Sequence, residues 1–522
     1  MRKTIITIVF FAVCLYSFAA TVVEISDPET WVCSDVSKYV GQTVTFAQPF
    51  YICNNYYYGS NRYSISPQRI FAPTNQAEPK SSAYYQLVTH NNNAEVTLNG
   101  LSGYRRMGEK LYNLTVKINS AAQWSFVSAD FVGNTRETLK AGIPDVDMLG
   151  EHTLLVCAFN LEYYLVENIG QERGPSNATE SARQHTKIME ALTMINADIY
   201  GFLEIERGQT ALKKIANSLT AATGRTYSYI DDGGTPYGTF TKSGYVYCSQ
   251  TVEPVGPYRK NQTAVAERKL MQAFKEKQTG ETFIFSINHF KAKSGSGTGA
   301  DADQGDGQGI FNATRVLEAQ SVLSAIDVNT KFYGDEDVLI MGDLNAYAKE
   351  DPIRTMTDAG ITDLHRYFHA DSSYSYVYRQ QAGYLDHALA NESLLRQITG
   401  MYAYHINSDE HDGFTYDKST DQTMFRSSDH DPVIVGLRLG AAAINKDENY
   451  DLCKITISAD QRITIHSAKN GYYRLYDLSG MLLTEGAITE QTQTLSKSIY
   501  SGVFFLNVYV EDKMKQFKVM IL

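Results

Sequence analysis

Arg426-Ser427-Ser428-Asp429-His430-Asp431-Pro432 runs directly into the apolar stretch Val433-Ile434-Val435-Gly436-Leu437. A carboxylate and an imidazole side by side at the mouth of a buried strand put a metal ligand, a base and a rigid support in one place, which is what a hydrolase needs. Taken alone, a Ser-Asp-His triplet is equally a turn capped by its Ser and Asp. Repetition of the plan decides between the two. Thr153-Leu154-Leu155-Val156-Cys157-Ala158-Phe159 leads to Asn160, and Ala197-Asp198-Ile199-Tyr200-Gly201-Phe202-Leu203 leads to Glu204. Phe283-Ile284-Phe285-Ser286-Ile287-Asn288 leads to His289, Val338-Leu339-Ile340-Met341-Gly342 to Asp343-Leu344-Asn345, and Gly383-Tyr384-Leu385 to Asp386. Continuous apolar runs are strands buried on both faces. Polar groups at strand ends are where layered α/β proteins keep their sites, so the sequence predicts one cleft fed by all of these ends.

In this order, Asn160, Glu204, His289, Asp343 with Asn345, Asp386 and Ser428-Asp429-His430 resemble the motifs of the endonuclease/exonuclease/phosphatase superfamily. Within it the chain is similar to secreted bacterial extracellular nucleases at Phe202-Leu203-Glu204-Ile205-Glu206, Asn288-His289-Phe290-Lys291-Ala292-Lys293, Gly305-Asp306-Gly307-Gln308-Gly309, Asn312-Ala313-Thr314-Arg315 and Gly342-Asp343-Leu344-Asn345-Ala346-Tyr347. The resemblance covers about residues 150 to 440 and implies an α/β fold, a four-layer αββα sandwich. It also implies metal ligation by Asn160, Glu204, Asp343 and Asp429, with His430 activating water under the orientation of Asp386. His289 would support the scissile phosphate or leaving oxygen, with Asp343 and Asn345 in the catalytic set.

These donors offer oxygen, which suits Mg²⁺, Mn²⁺ or Ca²⁺ and disfavours zinc. For Asn160 and Asn345 the bland alternative is turn formation. For Glu204 it is weaker, because an acid ending an apolar strand is costly unless paired or metal-bound. Arg268, Lys291, Lys293 and Arg315 are the candidate phosphate contacts, each also readable as a solvated surface charge. His185, His365, His369, His405 and His411 are assigned no role, and His387 is expected to pack into the strand face.

The chain departs from its relatives in two places. Arg207-Gly208 follows the Leu-x-Glu-x-Glu segment where Asn is common, and Ser294 to Gly309 lacks the cysteine pair that often holds that insertion, so the loop must be held otherwise. Asp301, Asp303 and Asp306 have the imperfect spacing of a calcium loop, against which a mobile acidic loop is the simpler reading.

Of 522 residues, the first 19 read as a cleavable secretory signal, with Arg2 and Lys3 before an apolar core and Ser17-Phe18-Ala19 at its end. No later run is apolar enough for a membrane span. Net charge of −11 gives no support to a long basic groove. Of the six cysteines, Cys14 lies in the leader, Cys33 and Cys53 could pair in an oxidising compartment, and Cys157 reads as a buried thiol. Residues 20–148 alternate apolar and polar positions, as at Leu111 to Ile118, and predict a small β domain. Related secreted nucleases place an oligonucleotide-binding-like barrel there, and a spacer is the alternative. The catalytic domain is assigned to 149–440 and a linker to 441–450. Residues 451–522, with Tyr476-Asp477-Leu478-Ser479-Gly480 and Gly502-Val503-Phe504-Phe505, resemble the sorting β-sandwich of type IX secretion substrates.

The sequence therefore predicts a secreted, metal-dependent nuclease on extracellular DNA, with RNA as a further substrate and the type IX machinery as partner. It would reach the exterior or the outer-membrane surface through the periplasm. The alternatives are a phosphoesterase on inositol phosphate or sphingomyelin-like substrates and a catalytically degenerate surface-binding protein.

Overall fold

The computed structural model describes residues 21–440, apart from 145, 232–239 and 261–268, and the strands between 453 and 521. The expected signal, the expected linker and Arg268 lie outside the described residues. The chain divides into two compact units, Met1–Gly440 and Ala441–Leu522.

The catalytic segment is built on two six-stranded sheets. One runs in the order Tyr227–Tyr229, Thr241–Cys248, Ile199–Glu206, Leu154–Tyr164, Val433–Leu437, Ile398–Ala403. The other runs Val252–Lys260, Lys269–Glu276, Thr282–Asn288, Val338–Asp343, Asp386–Ala390, Thr362–Asp363. Alternation along the strands explains the layering. Val156 and Ala158 join Val433, Val435, Phe285, Ile287, Leu339 and Met341 in a core between the sheets. Cys157 and Phe159 point the other way, into a second core with Ile188, Leu192, Leu212 and Ile215 from the helices Ala178–Ile195 and Thr210–Thr223. Ile284, Val338 and Ile340 meet Ala319, Val322 and Ile353 from the helices Asn312–Tyr333 and Asp351–Asp358 on the opposite outer face. The layers are thus helix, sheet, sheet, helix, as the family resemblance implies. Each fully buried aliphatic or aromatic side chain contributes roughly 1.5–3 kcal/mol.

Closeness between layers is set by small residues. A Cβ on Gly201 would lie 2.7 Å from Ile287 Cδ1, so glycine lets the first sheet approach the second. Gly342 has φ +130, and a Cβ there would sit 2.0 Å from the Asn288 carbonyl oxygen. That contact sets the end of the Val338–Asp343 strand beside His289.

The N-terminal sheet closes on itself. Phe50–Asn54, Arg62–Ser66, Val96–Asn99, Gln123–Val132 and Lys110–Ser120 pair in that order, and the last pairs back with the first. Trp31, Phe46, Phe50 and Trp124 fill the interior, with Phe46 stacked on Trp124 at 5.0 Å. This barrel belongs to the same compact unit as the catalytic segment. Buried ion pairs, Arg69 with Asp409 and Arg106 with Glu410, join the two. Cys33 and Cys53 are free thiols, which corrects the pairing considered for them, and Cys157 is buried as expected.

In the second unit, Cys453–Ile457, Ile463–Ser467 and Thr492–Thr494 form one sheet. Leu482–Ile488, Gly471–Asp477, Gly502–Val510 and Lys513–Ile521 form another. Ile463 and Ile465 from the first share a core with Leu475, Leu506 and Val508 from the second, a two-sheet sandwich.

Candidate active site

Strand ends from both sheets bring the sequence-predicted acids and histidines together. Asp343 and Asp386 are cross-strand partners at one end of their antiparallel pair. Phe290 donates its N–H to the Asp343 carbonyl at 2.9 Å, which holds His289 alongside. After Asn160 the first strand bulges, and Glu162 and Tyr163 adopt φ +50 and +56. The bulge is used: Asn160 Oδ1 accepts the Glu162 N–H at 3.1 Å and Glu204 Oε2 accepts the Tyr163 N–H at 3.2 Å. Glu204 and Asn345 are themselves left-handed, at φ +53 and +49. Such backbone costs about 1–3 kcal/mol per residue and gathers at functional sites.

His430 Nδ1 lies 2.7 Å from Asp386 Oδ2, and Ser375 Oγ donates to the same oxygen at 2.7 Å. The other ring nitrogen, Nε2, faces Asp343 Oδ2 at 3.8 Å and Asp429 Oδ2 at 3.9 Å. His289 Nε2 stands 3.7 Å from Asp343 Oδ2 and 3.8 Å from Glu204 Oε1. Asn160 donates its amide N–H to Asp343 Oδ2 at 3.1 Å, so in this arrangement it braces Asp343 rather than offering its own oxygen. Asn345 reaches the Phe290 carbonyl at 3.2 Å, and its N–H donates to Asp343 Oδ1 at 2.9 Å.

The electrostatics are those of clustered acids. Burial raises Asp343 to about 7, with His430 pulling it down and Asp386 pushing it up. Burial alone would depress His430, but the carboxylates of Asp386, Asp429 and Asp343 reverse this and hold the imidazole well above its ordinary range. Glu162 is raised to about 8 by burial and then by Asp429, with Arg426 opposing. Its Oε2 and Asp386 Oδ1 are buried without a hydrogen-bond partner. Orphaned carboxylate oxygens beside acids that burial pushes toward their neutral form are the condition a divalent cation relieves. Asp343, Asp386 and His430 each bring one donor atom within 4.8 Å of the others. This buried group of two carboxylates and an imidazole could hold a divalent cation.

The expected phosphate contacts fare differently. Arg315 is fully buried and donates to the carbonyls of Lys291, Ile310 and Gln308 at 3.2, 2.9 and 2.8 Å. Lys293 gives its ammonium to Glu350 at 2.5 and 2.7 Å. Glu350 is fully buried, and a buried carboxylate stripped of its partner costs about 3–5 kcal/mol. In this arrangement both side chains are engaged within the fold. Lys291 is half-buried, its ammonium 4.3 Å above the Phe311 ring.

Arg315 also answers how the insertion is held without cysteines. It anchors one end, Asp301 accepts from Thr314 N and Oγ at 2.9 and 2.6 Å, and Gln308 bridges to Asp351 at 2.9 Å. Asp303 accepts the Gly305 N–H and Asp306 pairs with Gln308 and Lys80, so these acids are spent locally rather than arranged around a calcium ion. Glu206, the second acid of its motif, accepts the backbone N–H groups of Val166, Glu167 and Asn168 and fixes that loop. His387 is buried with Nε2 at 2.7 Å from the Ala346 carbonyl, and His365 supports the Asp386 carbonyl at 2.9 Å.

Several contributors have no sequence signal. Glu162 sits in a bulge that no periodicity reveals. Tyr376 stacks on His430 with centroids 4.8 Å apart, Ser375 holds Asp386, and Asn407 donates to the His430 carbonyl at 2.7 Å.

A two-sheet α/β sandwich whose strand ends converge on acids, amides and two histidines defines a phosphoester hydrolase. Residues 157–430, just over half of the chain, match the endonuclease/exonuclease/phosphatase family model, and the chain belongs to that family of phosphodiester and phosphomonoester hydrolases, which generally use divalent metals. Among solved structures it is similar to an endonuclease/exonuclease/phosphatase family protein from Bacteroides thetaiotaomicron, at 19% identity over 54% of this chain and 97% of that one, TM-score 0.37. It is also similar to a mannosyl-6-phosphatase of the same organism, at 18% identity over 55% and 100%, TM-score 0.35. A third is the human Nocturnin catalytic domain, at 13% identity over 55% and 94%, TM-score 0.36. Among curated proteins none matches. Among the described residues no helix is long and apolar enough to cross a membrane.

Proposed function

We propose that this chain is a secreted, divalent-metal-dependent nuclease that hydrolyses phosphodiester bonds of extracellular DNA, and of RNA as a further substrate. The observation that carries hydrolysis is the His430–Asp386 pair at 2.7 Å with the free side of the ring turned to Asp343. Asp386 fixes the Nδ1–H tautomer, leaving Nε2 to take a proton from an attacking water. His289, on the other side of Asp343, is placed to donate to a phosphate or leaving oxygen. A bound Mg²⁺, Mn²⁺ or Ca²⁺ would supply positive charge where the transition state gathers negative charge. A cation beside Asp343 and Asp429 would offset the carboxylates that hold the proton on His430.

A polymeric substrate is supported by the N-terminal barrel, a closed five-stranded sheet with a parallel pair between Val96–Asn99 and Gln123–Val132, which resembles the oligonucleotide-binding-like barrel expected there. Exposed ring and guanidinium pairs also favour it, Arg62 lying 3.8 Å over Tyr57 and Arg379 lying 5.3 Å over Tyr378. A second reading, hydrolysis of small or lipid phosphoesters, gains from the engagement of Lys293 and Arg315 in the fold. Purified protein with plasmid DNA, RNA, inositol phosphate and sphingomyelin, with and without chelator, separates the two. Chelator-sensitive DNA cleavage at least about tenfold faster per site than any small substrate is expected. Turnover of the small substrates alone would sink the nuclease reading.

We further propose that the sandwich unit directs export by the type IX route, on its resemblance to sorting domains. Removing residues 445–522 is expected to leave the purified enzyme active while the host retains it in the periplasm. Normal release of the shortened chain would refute this role.

A further inference from the structure

Buried charges join the barrel to the catalytic segment. Arg69, just past the Arg62–Ser66 strand, donates Nη2 to Asp409 Oδ1 at 2.5 Å. Arg106, ahead of the Lys110–Ser120 strand, donates Nε to Glu410 Oε1 at 2.6 Å and a second nitrogen to the His405 carbonyl. Arg136 and Tyr104 complete Glu410 at 2.5 and 2.6 Å, and Asn134 and Tyr374 complete Asp409 at 2.8 and 2.7 Å. Asp409 and Glu410 are both essentially without solvent contact. These two acids sit in the 404–411 segment, which touches the catalytic dyad from behind.

The connections are short and polar. Tyr374, held by Asp409 and lying under the Arg69 guanidinium at 4.5 Å, stacks flat on His405 with centroids 3.9 Å apart. His405 Nδ1 meets Asp431 Oδ2 at 2.9 Å. Asp431, next to His430 in the chain, also accepts the N–H groups of Asn407 and Ser408 at 2.8 and 2.9 Å. Asn407 then holds the His430 carbonyl, while the Ser375 carbonyl accepts the Asp431 N–H at 2.9 Å and the Ser375 hydroxyl holds Asp386. Both halves of the dyad thus hang on the 404–411 and 373–376 segments, and those segments are pinned by arginines from the barrel.

We propose that the N-terminal barrel is a working part of the active site: Arg69 and Arg106 are positioning residues that, through Asp409, Glu410, Tyr374 and Asp431, align His430 with Asp386 for proton transfer. The proposal rests on the dyad being the catalytic pair. It differs from any role of the barrel in holding substrate, because these contacts lie on its inner, buried side. A misplacement of about 1 Å at the dyad is enough to cost rate, since effective general-base catalysis depends on alignment.

The test uses the full chain and a chromogenic phosphodiester too small to reach the barrel. Arg69→Met is expected to lower kcat by about 10- to 100-fold with KM within about twofold. It should also shift the low-field Nδ1–H proton resonance of His430, assigned by its absence in His430→Ala. Arg69→Lys, which keeps the charge but not the fork, should recover most of kcat. Should Arg69→Met not fold, Asp409→Asn, which retains acceptors for Tyr374 and Asn134, carries the same expectation. A folded Arg69→Met or Asp409→Asn protein with wild-type kcat and an unmoved resonance overturns the proposal, whatever its melting temperature. Failure of the underlying dyad reading shows separately, as activity surviving in His430→Ala.

Discussion

His430→Ala is expected to lower kcat on a phosphodiester by about 10²- to 10⁴-fold, the usual worth of a positioned acid–base group, with the fold retained. His430 is buried between Asp386, Tyr376 and the facing acids. The substitution removes one ring from a polar pocket rather than a piece of the apolar core. Its signature is partial recovery by added imidazole, which can occupy the vacated space and accept the proton. Asp386→Asn should fall in the same direction by a smaller factor, because the amide still offers an oxygen to Nδ1–H but no charge to stabilise the imidazolium. Single-turnover rates with wild type alongside decide the matter. A His430→Ala protein within about tenfold of wild type would place the base elsewhere, with Glu162 the next candidate.

What could be read from the sequence follows from the range of the interactions. Val338 to Met341 announces a strand buried on both faces because every residue is apolar, and the polar residue that ends it, Asp343, marks the cleft. The helix Ala178–Ile195 is legible by a different pattern, since Ile188, Ala191, Leu192 and Ile195 recur at helical spacing on one face and all four are buried. Charges were not legible in this way. Lys293 and Arg315 look like cleft cations until Glu350 and the carbonyls around Gln308 are seen to take them, and only the fold brings those partners near. The same holds for Arg69 and Asp409, which lie 340 positions apart and pair at 2.5 Å. Alternation predicted strands in the barrel, but its fusion to the catalytic segment depends on such long-range pairs. Ser375, Tyr376 and Asn407 act on the dyad from segments with no pattern at all, through backbone shape and single hydrogen bonds.

Glu204→Gln is expected to weaken divalent binding by at least about 10- to 100-fold, since loss of even an outer-shell partner costs that much at a metal site. Activity at sub-saturating metal should fall with it. The exchange is nearly isosteric and leaves an oxygen for the Tyr163 N–H, so stability of the metal-free protein should change little. The pH dependence gives a readout that needs no turnover. Asp343 is raised from 3.8 to about 7, so between those values the native state keeps a proton that the unfolded chain has released. Stability of the metal-free protein from this group is therefore fully present below pH 3.8 and is lost as pH rises through about 7. A cation replaces that proton, so metal affinity should rise with pH through the same window. At a hundredfold excess over Kd, binding adds about 2.7 kcal/mol. Differential scanning calorimetry with Mn²⁺ and with chelator should show a larger rise in Tm at pH 8 than at pH 5.5 for wild type, and a much smaller rise at both for Glu204→Gln. An equal rise in the two proteins would remove Glu204 from the metal site, and a rise larger at pH 5.5 than at pH 8 would show that Asp343 does not exchange its proton for the ion.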